Sequence, residues 1–258
     1  MRPFDQFPPA IARQIRFILS DVDDTLTDGP RLPAATYLAL ERLEAAGIAV
    51  VPVTAAPAGW CDLMARMWPV AAVIGENGGL CFRRDPASDD TARHYWAAPR
   101  EREQARARLA DLAAAITAAV PGAQPSHDQC YRETTLAFRN RGAALSEQIL
   151  ARLVAAGAQA TLNSIWVVGW FGDFDKLAMA RRMLVELFAL DPERDADHCL
   201  YVGDSLNDAP MFGFFANSVG VASVRRWADR LPVLPRWITS GAGGTGFVEI
   251  ADALLAGR

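Results

Sequence analysis

Basic residues never gather into a block in this chain of 258 residues, and its net charge is −4. The electrostatic footprint of a nucleic-acid binder is therefore missing. The four cysteines, Cys61, Cys81, Cys130 and Cys199, are scattered and form no C-x-x-C pair. No disulfide framework follows, and buried free thiols in a reducing compartment are expected. Long apolar runs are lacking too. Long uncharged stretches such as Ala45–Cys61 and Ala209–Val224 are broken by glycine and proline, so no membrane span is expected. Met1 to Gln14 carries Asp5 and three prolines and has no apolar h-region, which does not suit a signal peptide. Internal repeats and low-complexity segments are also absent. A cytoplasmic monomer or homodimer is expected, with neither nucleic acid nor membrane as partner.

What the chain has is apolar content, 51% against 22% charged, enough for one large domain or two modest ones. Its organising stretch is Arg16 to Thr27, RFILSDVDDTLT. Phe17-Ile18-Leu19 reads as a buried strand that stops in three carboxylates, Asp21, Asp23 and Asp24. Asp is a poor strand former and costly to bury. Asp21 and Asp23 are two apart and would share a face in extended geometry. Like charges ~4 Å apart repel by ~1 kcal/mol in water and ~4 kcal/mol at an effective dielectric of 20. A bound divalent cation removes that cost, and oxygen-only ligands suit Mg²⁺. The alternative is an Asp-rich turn capping the next helix.

After the turn at Asp28-Gly29-Pro30, a helix is expected over Pro33–Ala46, with Gly47 as its stop. A second buried strand, Ile48–Val53, ends in Thr54. A helix over about Trp60–Trp68 leads to a third strand, Ala71–Ile74, ending at Glu76-Asn77-Gly78-Gly79. Strand and helix alternating in this way predict a parallel sheet covered on both faces. The pattern changes at the polar stretch Asp85–Asp90, which suits a linker. Pro99–Val120 reads as a long helix whose arginines, Arg100, Arg102, Arg106 and Arg108, form a solvated face. Thr134–Phe138 suits a strand, Leu145–Ala156 a helix, and Ala160–Phe171 one or two strands. From Asp173 the first pattern resumes, with a helix over Asp175–Leu190, a strand over His198–Val202, a shorter strand over Ser218–Val221 and a helix over Phe247–Leu255. The expected fold class is therefore α/β, a Rossmann-like doubly wound parallel core of residues 1–82 and 171–258 carrying an inserted smaller α+β cap domain of residues 83–170.

Open parallel sheets bind ligands at the carboxyl ends of their strands. Thr54 ends the second strand, and Gly203-Asp204-Ser205-Leu206-Asn207-Asp208 follows the fourth. Lys176 lies in the first turn of its helix, where a cation opposes the helix dipole by roughly 0.3–1 kcal/mol. That placement makes sense if it faces an anion; a solvent-exposed lysine is the alternative. Two carboxylate pairs, a hydroxyl and an ammonium at one sheet edge make a phosphoryl-transfer inventory.

At this point the chain resembles the haloacid-dehalogenase-like (HAD) phosphatase superfamily. The motifs are Asp21-Val22-Asp23-Asp24-Thr25, Thr54, Lys176, and Gly203-Asp204 through Asn207-Asp208, in family order and over nearly the whole chain. A cap between the second and third motifs is similar to the Cof-like and sucrose-phosphate-phosphatase-like subgroup, as are Glu76-Asn77-Gly78 and Gly244 to Glu249. Leu177 departs from the glycine many relatives have. The resemblance implies a Mg²⁺-dependent phosphatase of a small phosphate ester, a sugar phosphate, acting through an aspartyl phosphate. Asp21 would be the nucleophile and Asp23 the acid and base. Thr54 and Lys176 would bind phosphoryl oxygens. Asp21, Asp23 through its carbonyl, Asp204 and Asp208 would hold the metal, with Asp208 direct or through water. Asn207 would support Asp208 or touch phosphate. A sugar-phosphate phosphomutase and a non-catalytic sugar-phosphate sensor are the alternatives. Asn163, Ser164, Trp166 and Trp170 could face the site from the cap, core packing being the better reading of the tryptophans. Gly169 and Gly172, beside the cap, are expected as hinges. Gly241 to Gly246 matches G-x-G-x-x-G, but too little chain follows it for a dinucleotide fold, so it reads as a flexible loop.

Overall fold

The computed structural model describes residues 1–85, 87–88, 90–163 and 165–256. The first half runs β1 (Arg2–Pro3), α1 (Pro9–Ala12), β2 (Phe17–Ser20), α2 (Ala34–Ala45), β3 (Ala49–Pro52), α3 (Ala58–Met67), β4 (Val73–Gly75), β5 (Leu80–Arg84) and β6 (Thr91–Tyr95). An intervening unit follows, with α4 (Pro99–Ala119), β7 (Leu136–Arg139), α5 (Ala143–Ala155), β8 (Gln159–Leu162) and β9 (Trp166–Trp170). The chain then returns through α6 (Lys176–Phe188), β10 (Cys199–Gly203), α7 (Ala209–Phe214), β11 (Asn217–Gly220), β12 (Trp237–Ile238) and α8 (Gly243–Leu255).

The main sheet has six parallel strands in the order β1-β12-β11-β10-β2-β3. Alternation along each strand decides which face a residue serves. Ile18, Val50, Leu200 and Val202 pack with Leu40 and Leu43 of α2 and with Phe247 and Ile250 of α8. Their neighbours Leu19, Val51, Cys199 and Tyr201 pack with Met179 and Met183 of α6 and with Met211 and Phe212 of α7. Both faces are covered, so the strands read as continuous apolar runs. β4 extends the layer through a parallel bridge between Val53 and Ile74, then turns into the antiparallel sheet β4-β5-β6.

That sheet corrects one expectation. Asp85–Asp90 is not a linker between domains: β5 and β6 pair antiparallel across it, from Arg84 and Thr91 to Leu80 and Tyr95. Pro86 and Asp89 within it lie outside the described residues. A polar turn and a polar linker have the same composition, and only the partner strand tells them apart. The intervening unit's own sheet, β7-β9-β8, is antiparallel. On one side Leu136, Phe138 and Val167 pack beneath Leu109 and Ile116 of α4 and Ile149 and Leu153 of α5. On the other, Ala137, Trp166, Val168 and Trp170 meet Ala55 and Phe174.

Gly169 is no hinge. It is paired within β9, and a Cβ there would stand 2.7 Å from Leu153 Cδ2, so α5 needs the bare backbone. Gly172, at φ +122°, is the residue beside the cap that takes a backbone conformation other residues avoid. The glycine run is not a loose loop either. Gly243, Gly244 and Gly246 are buried at the start of α8, and the Gly244 N–H donates to Asp28 Oδ1 at 3.0 Å. Of the cysteines, Cys61, Cys81 and Cys199 are buried as expected, whereas Cys130 is exposed.

One side chain ties the intervening unit to the main one. Glu76, fully buried after β4, accepts from Ala58 N and Glu133 N through Oε1, at 2.9 and 2.8 Å. Through Oε2 it accepts from the N–H and hydroxyl groups of Thr134 and Thr135, at 2.7 to 2.9 Å. Two oxygens serving six donors is a task for a carboxylate, since an amide has one acceptor atom. Glu76→Gln is therefore expected to cost about 3 kcal/mol or more, because buried donors lose their partner. An unchanged midpoint of urea unfolding would contradict this.

Candidate active site

Three parallel strands end side by side, and a site residue follows each within two positions. The Asp21 N–H donates to Val202 O at 2.9 Å, and the Val53 N–H donates to Ser20 O at 2.7 Å. This register places Asp21, Thr54 and Asp204 on one edge, where the connections from β2 run to opposite sides of the sheet. Asp21, Thr54, Lys176, Asp204 and Asp208 are all buried, and Asp23 is half-buried.

Lys176 enters from the first turn of α6, whose start is fixed by Asp175 Oδ1 accepting from Ala178 N at 2.7 Å. Leu177 leaves that start intact and packs against the core beside α6. Lys176 Nζ donates to Asp21 Oδ1 at 2.7 Å and to Asp208 Oδ1 at 2.8 Å. It is the only lysine among the 26 Lys and Arg of the chain. Asp208 also accepts from the Tyr201 hydroxyl at 2.6 Å through Oδ1, and from Asp204 N and Ser205 N at 3.0 Å through Oδ2. Its oxygens are thus committed to holding the loop. Gly203 is required here, because a Cβ would stand 2.6 Å from Asp208 Oδ2. Asn207 does not bond Asp208 directly: its Oδ1 accepts from the Ser205 hydroxyl at 2.6 Å. Thr54 Oγ1 accepts from Ala56 N at 3.0 Å.

Oxygen atoms of Asp21, Asp204 and Asp208 lie within 4.8 Å of one another. Burial raises the Asp21 carboxyl well above its ordinary range, and Lys176 only partly offsets it. Burial and the neighbouring Asp208 charge push Asp204 up to about 7. Burial brings Asp23 to about 6. Although burial disfavours its charge, Lys176 is held protonated by Asp208 and Asp21. The Lys176 ammonium, and the Arg226 guanidinium that reaches Asp204, leave the four carboxylates Asp21, Asp23, Asp204 and Asp208 in excess. An all-oxygen donor set with surplus negative charge fits a divalent cation, with Asp21 and Asp204 the oxygens least committed to protein donors.

Sequence reasoning missed Arg226, whose Nη2 donates to Asp204 Oδ2 at 2.7 Å and lies 3.3 Å from Asp24 Oδ2. Nothing in the segment around it marks it. The cap candidates divide. Trp166 and Trp170 are buried on the cap face that meets Ala55. Asn163 closes the β8–β9 turn, its Oδ1 accepting from Ile165 N and Trp166 N at 2.9 and 2.7 Å. Ser164 lies outside the described residues.

No family model matches the chain, and no curated protein matches it in sequence. Solved structures do. A haloacid dehalogenase-like hydrolase from Bacteroides thetaiotaomicron is 16% identical, with 92% of this chain and 98% of that one covered at a TM-score of 0.64. The sucrose-phosphatase of Synechocystis, solved with sucrose and phosphate, is 15% identical, with coverage of 94% and 98% and a TM-score of 0.62. The C-terminal domain of C. albicans trehalose-6-phosphate phosphatase is 13% identical, with 99% of each chain covered and a TM-score of 0.68. The chain has the fold of the HAD-like hydrolases, over nearly its whole length. Its likeness extends to the sugar-phosphate phosphatases that share that fold.

The raised carboxyls set a pH dependence. A carboxyl protonated in the folded chain above its unfolded pKa makes the folded state bind more protons, so stability falls as pH rises through that window. For Asp204 the window runs from about 4 to about 7. Metal-free protein is expected to lose roughly 3 kcal/mol between pH 5 and 8, and added divalent cation should restore most at the upper end. Thermal unfolding across pH, with and without cation, checks this. A metal-free protein that gains stability over the range would contradict it.

Proposed function

We propose that this protein is a Mg²⁺-dependent phosphatase that hydrolyses a small phosphorylated metabolite, a sugar phosphate, through an aspartyl phosphate on Asp21. The observation that carries the reading is the buried group of Asp21, Lys176, Asp204 and Asp208 at the carboxyl ends of adjacent strands. A cation held by Asp21, Asp204 and the Asp23 carbonyl, with Asp208 behind them, would neutralise charge between carboxylates and phosphoryl oxygens. The chain's own groups do the rest. Lys176 fixes the Asp21 carboxylate and, with the Thr54 O–H, binds phosphoryl oxygens. Asp21 attacks phosphorus, the bond to the leaving oxygen breaks, and Asp23 gives its proton to that oxygen. A carboxyl brought to about 6 by burial keeps a protonated fraction for this step near neutral pH, where an ordinary carboxyl keeps almost none. Water then attacks the acyl phosphate and gives a proton to Asp23, which frees Asp21 and inorganic phosphate. The inserted unit that carries α4 to β9 serves in this reading as the cap that shields these steps from solvent.

Asp21→Asn is expected to keep the fold and to lower turnover by on the order of 10⁴-fold or more. Phosphate release at near-normal rate by a folded variant would remove the nucleophile assignment. Excess chelator should abolish activity, and Ca²⁺ should inhibit, because it takes more ligands at longer distance. Label from ¹⁸O-water should appear in inorganic phosphate; a phosphomutase would instead return the phosphoryl group to its substrate.

A further inference from the structure

The cap sheet face that meets Ala55 carries a set of buried polar atoms that the mechanism above leaves unused. The Arg132 guanidinium lies over the Trp166 ring, with Cζ 5.0 Å from the centroid. Its side chain is 0% exposed. Nη1 donates to Ala55 O at 2.8 Å, beside Thr54, and to Thr135 Oγ1 at 3.1 Å. Nε and Nη2 have no hydrogen-bond partner among the described residues. Asp128 Oδ1 stands 3.8 Å from Nε and also has none, and neither does Trp166 Nε1. Folded proteins rarely keep buried donors and acceptors unpaired, and a cluster of them calls for an explanation.

Their position supplies one. Arg132 holds the carbonyl of Ala55, the residue after Thr54, and so stands at the strand ends where Asp23 must touch the leaving oxygen. Asp23 in turn lines a groove of about 210 Å³ with Thr27, Leu32, Trp60, Met64 and Trp68. Trp60 is partly exposed at 42%, and its ring centroid is 6.4 Å from that of Trp166. The groove therefore meets the unpaired set at this ring pair: Arg132, Asp128 and Trp166 stand beyond its wall and do not line it. Charge decides what the set would take. The Asp128 carboxylate already stands 3.8 Å from the Arg132 guanidinium, so its charge is balanced and a second anion gains little. Donors and an acceptor side by side suit hydroxyls, each of which donates and accepts, and an indole face suits the apolar side of a sugar ring. Size limits it further. The groove is smaller than the ~300–1,000 Å³ of sites for drug-sized ligands, which leaves room for one ring and not two.

We propose that Arg132, Asp128 and Trp166 read the hydroxyls of the leaving group, with Trp60 as its stacking wall, and that the substrate is the phosphate monoester of a single-ring sugar or a polyol of that size. This rests on the phosphatase reading. The atoms are shielded while the cap is seated, so the sugar enters with the cap raised and its hydroxyls complete the hydrogen bonds on closure.

The test measures kcat/KM for hexose and pentose monophosphates, trehalose 6-phosphate and an activated aryl phosphate. Wild type should prefer a monosaccharide phosphate. Asp128→Asn and Trp60→Ala should each lower that kcat/KM about 10- to 100-fold, chiefly through KM, as for loss of a charged hydrogen bond or a stacking face. The aryl phosphate presents no hydroxyls, so Asp128→Asn should lower its kcat/KM by a clearly smaller factor, and the ratio between the two substrates is the readout; Trp60→Ala should weaken both, since an aryl ring stacks as well. Wild-type tryptophan fluorescence, independent of any variant's folding, should respond to the free monosaccharide in the presence of phosphate and not to trehalose. A preference for trehalose 6-phosphate, an Asp128→Asn variant that slows both substrates equally, or an unresponsive fluorescence would overturn the proposal. Aryl phosphate hydrolysis without any sugar preference would overturn it alone, whereas hydrolysis of no phosphate ester would overturn the phosphatase reading with it.

Discussion

The structure depends on one ammonium ion held between carboxylates. β2 and β10 are central neighbours in the sheet, and each delivers an acid to the same small volume. Without Lys176, Asp21 and Asp208 would face each other with no cation supplied by the chain. The lysine comes from a helix that begins only after the intervening unit has been completed. The insertion therefore cannot be threaded anywhere in the core: it must return the chain so that α6 starts against the end of β2. Asp175 as N-cap fixes that start, and Met179 and Met183 anchor the helix on the sheet.

A second buried carboxylate works by the opposite chemistry. Glu76 is matched by backbone and hydroxyl donors rather than by a cation. It joins the loop after β4 to Glu133, Thr134 and Thr135. Arg132, the preceding residue, reaches back to Ala55. A continuous stretch of the cap is thus laid along the segment that follows Thr54. That contact and the alternation along β9 together orient the cap sheet, so that Trp166, Val168 and Trp170 face the strand ends while Val167 faces α5.

Much of this was legible because burial writes itself into composition. Strands covered on both faces are apolar throughout, and an acid that interrupts such a run stands out, as Asp21 and Asp204 do. The four motif positions meet in space because the parallel register aligns strand ends. Residues that act across long distances left no comparable trace. Arg226 and Arg132 look like any other arginine in a chain rich in them, and Glu76 looks like part of a turn. The hairpin at Asp85–Asp90 was read as a linker because its partner strand is short and polar. Gly169 was read as a hinge because the close approach of Leu153 leaves no mark beside it in the sequence. The composition does mark Lys176: the chain's single lysine sits where the chemistry needs an amine rather than a guanidinium.

The sheet order also has a consequence for how the chain is made. β2 lies between β3 and β10, and β10 is not synthesised until the whole cap has emerged. At ~5–20 residues per second, one edge of a short, apolar central strand stays unpaired for on the order of ten seconds or more. An unpaired apolar edge is a template for wrong partners, including another nascent copy. The cap, whose strands pair only with one another, can close on the ribosome without waiting. The interval in which this chain is most prone to aggregate is therefore the one in which its cap is being built.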